Sequence, residues 1–230
     1  MDYLYETHCH SAQGSRCARS SAAELVNAYH AAGYQGLVLT DHFVLGNTAV
    51  DITLPWTAQM QCYHEAYLDA VAAAQPLDFD VIFGIEHACK GNEYLCYGID
   101  LDFLLAHPEI PELPLEDFVA LCHRHSAMVV QAHPFRWAPP DTPLRLDILD
   151  GIEIYNAANH PDANRAAMAQ AKGICTSGGD VHFAEDSRIG KAGIRLPYRI
   201  RSAQELANAL KHHDHRPLID SIPQSFTFRK

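Results

Sequence analysis

Residues 36–42 read Gly-Leu-Val-Leu-Thr-Asp-His, a short apolar run that ends in a carboxylate and an imidazole. An unbroken apolar run of this length is typical of a strand buried on both faces of a parallel sheet. Residues 22–32 before it carry apolar side chains at helical spacing, and Ser21 with Glu24 forms a capping-box pattern. The stretch therefore predicts a helix followed by a strand, with polar side chains where the strand ends.

The same alternation of helix-like stretches and apolar runs continues along the chain. We predict strands at residues 3–5, 36–40, 80–85, 128–132, 151–155 and 173–177. We predict helices at residues 22–32, 57–74, 115–125, 164–172 and 202–211. Strands that alternate with helices indicate an α/β fold with a parallel sheet. We expect one domain over residues 1–230, with a proline-rich loop at 108–114 and a C-terminal arm at about 214–230.

The composition narrows the class of protein. The chain has 230 residues, 48% of them hydrophobic, a formal net charge of −11, seven cysteines and 15 histidines. No apolar run is long enough to span a membrane, and the first ten residues lack the regions of a signal peptide. The scattered cysteines form no CxxC pair, so we expect free thiols and a cytoplasmic location. The acidic balance argues against nucleic acid or an anionic membrane as partner.

Polar side chains follow the predicted strands at six places. They are His8 and His10, Asp41 and His42, Glu86, His133, Asn156, and Asp180 and His182. The loops at the carboxyl ends of barrel strands gather on one face, so we expect these side chains to converge. In extended chain, residues two apart point the same way, which allows both histidines of the first pair to reach one ion. Each residue alone has an ordinary structural explanation, but together they predict a metal site.

Five short motifs carry a resemblance to a known family. They are THCHS at 7–11, LTDH at 39–42, GIE at 84–86, AHP at 132–134 and GGDVH at 178–182. In this order and at these separations they resemble the PHP domain family of polymerase-associated domains and histidinol-phosphate phosphatases. The resemblance runs from about residue 3 to the helix near residue 211. It implies a distorted (β/α)7 barrel with two or three divalent metal ions, zinc, manganese or iron, that acts on phosphoesters.

The resemblance also implies a set of metal ligands. The first metal would have four ligands: His8, His10, Glu86 and Asp180. Glu86 would bridge to a second metal that His133 also binds. His42 and His182 would face a third metal. Asp41 is expected to orient histidines rather than to bind an ion.

Two positions depart from the family pattern. The family commonly has a histidine about six residues after the second histidine of the HxH motif, where this chain has Arg16. A charged arginine cannot bind a cation, so we expect a weak or missing third site and an Arg16 that grips phosphate. The family's histidine in the strand after the GIE loop corresponds to Glu93. A carboxylate can replace imidazole, so Glu93 is a candidate ligand of the second metal.

The expected activity is metal-dependent hydrolysis of a small phosphomonoester by an activated water. The expected catalytic residues are Asp180, His182, His42 and Arg16. His42 or His182 would protonate the leaving alkoxide if the third metal is missing. Three residues are expected to bind substrate: Arg16, Arg136 and Asn156. Histidinol phosphate, nucleotides, sugar phosphates and phosphotyrosyl peptides all remain open as substrates.

Three other functions remain open. A nuclease of the polymerase-associated type is disfavoured by the net charge of −11 and the absence of a basic stripe. An amidohydrolase commonly has a lysine at the end of a middle strand, whereas Lys90 lies in a loop after Glu86. A metal-binding domain without catalytic activity would be favoured by a broken ligand set. Most of the expected positions match, which favours catalysis.

Overall fold

The chain forms a mixed α/β fold around a barrel-shaped, nearly closed sheet. The computed structural model describes residues 2–137 and 145–220. The strands are β1 Tyr3–Cys9, β2 Gly36–Leu39, β3 Asp80–Cys89, β4 Asn92–Tyr97, β5 Met128–Gln131, β6 Gly151–Asn156, β7 Ile174–Gly178, β8 Ala192–Leu196 and β9 Arg216–Ile219. The helices are α1 Ala22–Ala31, α2 Trp56–Ala74, α3 Leu101–Ala106, α4 Leu115–Arg124, α5 Pro161–Ala169 and α6 Ala203–Lys211.

The strand order explains both the barrel and its distortion. The order is β7-β6-β5-β4-β3-β2-β1-β8-β9. Strands β1 to β3 pair in parallel, as do β5 to β7, but β4 pairs antiparallel with both of its neighbours. The seven strands β1 to β7 form the wall of the barrel, which confirms the expected distorted (β/α)7 architecture. Strands β8 and β9 extend the sheet beyond β1 in antiparallel pairing.

The barrel closes where the end of β1 meets the chain that follows β7. The Asp180 amide donates to the His8 carbonyl at 2.7 Å, and the His10 amide donates to the Val181 carbonyl at 2.9 Å. The Thr7 hydroxyl donates to the Ser177 carbonyl at 2.7 Å. These bonds place the first and the last strand-end motifs side by side, although they are far apart in sequence.

Most predicted elements are present, with shifted ends. The predicted capping box of α1 is confirmed, since Ser21 and Glu24 exchange both of its hydrogen bonds. Strand β1 continues to Cys9 because its polar end pairs with the segment after β7. Helix α5 begins earlier than predicted, at Pro161, whose fixed φ suits the first helical position. Helix α3 and strand β8 lie in stretches where we predict no element, and β9 lies within the predicted C-terminal arm.

The predicted C-terminal arm is only partly described. Its residues 216–219 form β9 against β8, and residues 221–230 lie outside the described part of the chain.

Helices α1 and α2 pack together and bury Leu25, Val26 and Ala66 with the apolar residues of β2. Among the described residues, no helix is long and apolar enough to cross a membrane.

Candidate metal centre

One end of the barrel carries a dense cluster of imidazoles and carboxylates. Its members are the eight side chains predicted as metal ligands: His8, His10, His42, Glu86, Glu93, His133, Asp180 and His182. They form four overlapping groups, and within each group the ligand atoms lie within 4.8 Å of one another. Six of the eight are buried, and Glu93 and His182 are half-buried. The fold thus brings together all eight residues, whose binding of metal stays a prediction.

The end of β1 supplies the centre of the first group. His8 Nε2 lies 3.1 Å from His10 Nε2. Asp180 Oδ1 lies 3.7 Å from His8 Nε2 and 3.3 Å from His10 Nε2. Glu86 Oε1 lies 3.1 Å from His8 Nε2. Four donor atoms on three separate segments therefore converge, as the ligands of one divalent ion do.

Glu86 connects this group to the next one. Its Oε1 lies 2.9 Å from His133 Nε2, and its Oε2 lies 2.7 Å from His42 Nδ1. Glu93, on the neighbouring strand β4, places its Oε2 3.2 Å from His133 Nε2. The two carboxylates lie on the same face because Glu93 pairs with Ala88, two residues after Glu86. Glu86 therefore contacts both the first group and the neighbouring side chains His42 and His133, and Glu93 contacts His133.

The backbone is strained at two of the strand ends. His133 has φ 26° and Asp180 has φ 51°, a left-handed region that residues other than glycine rarely adopt. Hydrogen bonds hold both residues in place: the His133 amide donates to Glu153 at 2.7 Å, and the Asp180 amide donates to His8. Strain of this kind concentrates at functional sites, where the surrounding structure compensates for its cost.

Glu153 orients His8, and sequence reasoning missed it. Its Oε1 lies 3.1 Å from His8 Nδ1, which leaves Nε2 free to face the cluster. Its Oε2 accepts bonds from the His133 amide and from Asn156 Nδ2. A carboxylate on the far nitrogen of a metal-binding histidine fixes its tautomer and orientation. The available signal was a charged residue between Ile152 and Ile154 in a buried strand.

Asp41 orients His10 through a serine. Its Oδ1 accepts from the Ser15 hydroxyl at 2.8 Å, and Ser15 Oγ lies 3.2 Å from His10 Nδ1. Asp41 also accepts from the Ser11 amide at 2.6 Å. Burial raises the pKa of Asp41 to about 6, although hydrogen bonds from Ser11 and Ser15 oppose the rise. These contacts agree with the expectation that Asp41 orients a histidine rather than binding an ion.

Glu6 is a second buried carboxylate that sequence reasoning missed. Its Oε1 accepts from the amides of Thr7, His8 and Gly179 at 2.8–2.9 Å, and its Oε2 accepts from Tyr29 at 2.9 Å. Burial raises its pKa to about 7 against the effect of these bonds. Glu6 therefore holds the end of β1 against the turn that carries Asp180.

Opposite charges dominate the electrostatics of the cluster. Burial disfavours charge on His8, but Glu153, Asp180 and Glu86 raise its pKa well above the ordinary value. The pKa of Asp180 falls well below its usual range, because His8 and Arg136 outweigh its burial. The pKa of His10 shifts in the direction opposite to that of His8, because burial and the neighbouring His42 lower it to about 3. Without metal, the cluster therefore shares protons among imidazoles that a cation would displace.

Two unpartnered atoms support the fit of a cation to this cluster. His42 Nδ1 and Glu86 Oε2 lie 2.7 Å apart, yet both are buried and neither has a hydrogen bond of acceptable geometry. Unsatisfied polar atoms are costly inside a protein unless something else binds them. Imidazole nitrogens with carboxylate oxygens are the ligands of zinc, manganese and iron. The donor set therefore fits divalent metal ions.

Solved structures resemble this fold, although the sequence matches no protein-family model and no curated protein. One is a two-domain protein from Bacteroides vulgatus that contains a predicted PHP-like metal-dependent phosphoesterase. It has a TM-score of 0.65 and 16% sequence identity, over 95% of this chain and 65% of that one. The fold is of the PHP type.

Two further solved structures resemble the same fold. An amidohydrolase from Chromobacterium violaceum, with bound sulfate and no metal, has a TM-score of 0.60 and 15% identity, over 94% of this chain and 98% of that one. Endonuclease Q, in complex with a 27-mer duplex that has an abasic lesion at the active site, has a TM-score of 0.65 and 14% identity. That match covers 92% of this chain and 57% of Endonuclease Q. The chain thus spans about two thirds of the first structure and just over half of the third.

Arg136 lies directly beside the cluster. Its guanidinium donates to Asp180 Oδ2 at 2.5 Å, to Asn156 Oδ1 at 2.9 Å and to Asn159 Oδ1 at 2.8 Å. Asn156 in turn donates to Glu153 at 2.9 Å. The side chains of Arg136 and Asn156 therefore connect two carboxylates of the site, and their binding of substrate stays a prediction.

Arg16 and its neighbour Cys17 follow Ser15, the serine that contacts His10. Arg16 is exposed, and its amide donates to the Asn47 carbonyl at 2.9 Å. Cys17, which is also exposed, follows Arg16 in the chain. Partial burial raises the pKa of the Cys17 thiol, but His182 and His42 outweigh it and lower that pKa to about 6.

Proposed function

We propose that this chain is a member of the PHP family and a metal-dependent hydrolase of small phosphomonoesters. The observation that carries the proposal is the position of Glu86 within 3.1 Å of His8, His42 and His133. A carboxylate surrounded by imidazoles from three strand ends is the arrangement that a bridged pair of divalent ions requires. A purely structural ion pair would need only one of these contacts.

The residues divide into ligands and the groups that orient them. His8, His10 and Asp180 would hold one ion, and His133 with Glu93 would hold another, with Glu86 shared between them. Bound divalent ions would lower the pKa of a water and neutralise charge on the phosphoryl oxygens.

The supporting residues fix this geometry before substrate arrives. Glu153 holds His8, and Asp41 holds His10 through Ser15. Arg136 holds Asp180 from the other side and brings a positive charge to the edge of the cluster. A guanidinium in this place would attract the phosphate of a substrate and orient it toward the ligands. Preorganised groups of this kind contribute to catalysis because they need little rearrangement in the reaction.

The size of the substrate is the open part of the proposal. The net charge of −11 supports a small phosphate over a nucleic acid, because a polyanion is repelled by an acidic surface. The likeness to Endonuclease Q, whose structure contains a DNA duplex, favours a phosphodiester of DNA as the second candidate. Bound cations reverse the local charge of the site in either case.

The experiment is a metal-reconstitution assay. The purified chain is stripped with chelator, reloaded separately with zinc, manganese and iron, and assayed for hydrolysis. The panel contains p-nitrophenyl phosphate, nucleotides, sugar phosphates, histidinol phosphate, a phosphotyrosyl peptide, bis-p-nitrophenyl phosphate and an abasic DNA duplex. We expect metal-dependent release of phosphate from a monoester. Preferential cleavage of the DNA or of the diester would instead establish the nuclease.

A matched pair of variants ties the activity to the site. Glu86→Gln removes the bridging charge and should lower kcat/KM by more than about a hundredfold. Glu65→Gln removes a carboxylate from the exposed face of α2 and should leave it unchanged. Reconstituted protein that hydrolyses no member of the panel would refute the proposal.

A further inference from the structure

A cavity of about 230 Å³ lies between the end of β6, helix α5 and the loop before β8. Tyr155 of β6 lines it, whereas the next residue, Asn156, bonds to Glu153 inside the barrel. Successive side chains of a strand point to opposite faces, so the cavity lies outside the barrel wall. None of the eight predicted metal ligands lines it.

The polar lining of this cavity consists mainly of hydrogen-bond donors. Its described charged side chains are three cations and one carboxylate: Arg165, Arg188, Lys191 and Asp220. Arg188 donates to Asp186 through Nε, at 2.9 Å from each oxygen, and through Nη2. Arg165 donates to Asp162 through Nη2. Among the described residues, no carboxylate forms an ion pair with Lys191.

Asn159 adds a buried donor to the same cavity. Its side chain is only 9% exposed and lines the cavity, and its Nδ2 has no hydrogen-bond partner among the described residues. Its Oδ1 accepts from Arg136 Nε at 2.8 Å, which fixes the orientation of the amide. A buried donor without an acceptor is costly, so a ligand that brings an acceptor group to the cavity would stabilise it.

Asn159 also connects the cavity to the first metal group. Arg136 donates to Asn159 through Nε and to Asp180 through Nη2. One guanidinium and one amide therefore separate the predicted ligand Asp180 from the cavity. A substrate with its phosphate at the cluster would need only a short chain across Arg136 to reach the cavity.

We propose that this cavity binds an anionic group, and that the group is a second charge of the phosphomonoester substrate, a carboxylate or a phosphate. The inference rests on the proposed function, because it names the substrate class of the same reaction. A carboxylate or phosphate only accepts hydrogen bonds, which suits the donors of Lys191, Asn159 and the two arginines. Asp220 is exposed, so solvent weakens its repulsion of such a group.

The test compares ω-carboxyalkyl phosphates of increasing chain length with their methyl esters, which have the same phosphate but lack the second charge. The metal-loaded full chain and its variants are assayed for kcat/KM on both series. Lys191→Met removes a cation from the cavity. Asn159→Asp keeps an acceptor for Arg136 but replaces the free donor by an oxygen. Lys172→Met is the matched control, because Lys172 is exposed and lies before the start of β7, whereas the cluster adjoins the end of that strand.

We expect the carboxylate to raise kcat/KM over the methyl ester by about tenfold at the best chain length, in the parent chain and in Lys172→Met. The ratio should fall to about one in Lys191→Met and in Asn159→Asp, where the anion loses a donor. Both substrates are measured on the same protein sample, so partial misfolding cancels from the ratio.

Calorimetric titration of the metal-free chain with inorganic phosphate and with succinate provides a readout that needs no hydrolysis. We expect binding that weakens by about tenfold in Lys191→Met and stays unchanged in Lys172→Met.

The outcomes separate this site from the proposed function. Hydrolysis of phosphomonoesters with no effect of the second charge at any chain length would refute the substrate assignment and leave the proposed function standing. A ratio that survives in both cavity variants would refute the site. Binding of free phosphate or succinate without such a ratio would show that the cavity takes a separate anion, which also refutes the substrate assignment. Binding that depends on Lys191 in a chain that hydrolyses no phosphoester would support the anion site and refute the proposed function.

Discussion

The substitution Gly178→Ala tests how closely the backbone supports the first metal group. Gly178 ends β7, and a Cβ added there would lie 2.4 Å from His8 Cβ and 2.4 Å from Glu153 Oε1. Ordinary contacts between carbon atoms are about 3.5–4.0 Å, so His8 and Glu153 must move by roughly 1 Å. Ligand distances in metal sites tolerate only about 0.2 Å, so the alanine should displace His8 from the ligand set.

Gly178→Ala should weaken metal binding strongly and should lower the free energy of unfolding moderately. A displaced ligand should weaken zinc binding by about a hundredfold, which corresponds to roughly 2.7 kcal/mol. Overpacking should lower the free energy of unfolding by about 1–3 kcal/mol. Zinc affinity is measured by competition with a fluorescent chelator, and stability by urea unfolding of the metal-free protein.

Gly33→Ala is the matched control. Gly33 has φ +84° and no atom within 4 Å of an added Cβ, so alanine there strains the backbone without touching the site. It should cost about 1 kcal/mol of stability and leave zinc affinity unchanged. The reasoning fails if folded Gly178→Ala binds zinc as tightly as the parent chain.

Three further predictions concern Glu153, the pH dependence of zinc binding, and Glu6. Glu153→Gln removes the carboxylate behind His8 and should weaken zinc binding by about 10- to 100-fold in the same chelator competition. The pKa of His42 is raised to about 11 and that of His133 to about 9, so a metal ion must displace protons from both imidazoles. Zinc affinity, measured by calorimetric titration, should therefore rise from about pH 6 to about pH 9. An affinity that does not change with pH would contradict this prediction. Burial raises the pKa of Glu6 to about 7, so the contribution of Glu6 to stability is fully present below its ordinary pKa of 4.5 and is lost as the pH rises through 7, by on the order of 3 kcal/mol. Glu6→Gln should remove this slope from urea unfolding curves.

The strand-end pattern in the sequence predicts both the barrel and the place of its polar cluster. A strand such as Gly36–Leu39 is recognisable because its apolar run is local, and so is the imidazole that follows it. The identity of Glu93 as a candidate ligand came only from the family resemblance, since no local pattern marks it. Local periodicity also does not reveal β8 and β9, whose antiparallel pairing with β1 depends on distant chain.

The sequence by itself therefore determined the alternating architecture and the eight side chains that meet at one end of the barrel. Only the tertiary structure decided what orients them: Glu153 is 145 residues from His8, and Glu6 is 173 residues from Gly179. The physical reason is that secondary structure follows from neighbours along the chain, whereas the position of a buried hydrogen-bond partner depends on how the barrel closes.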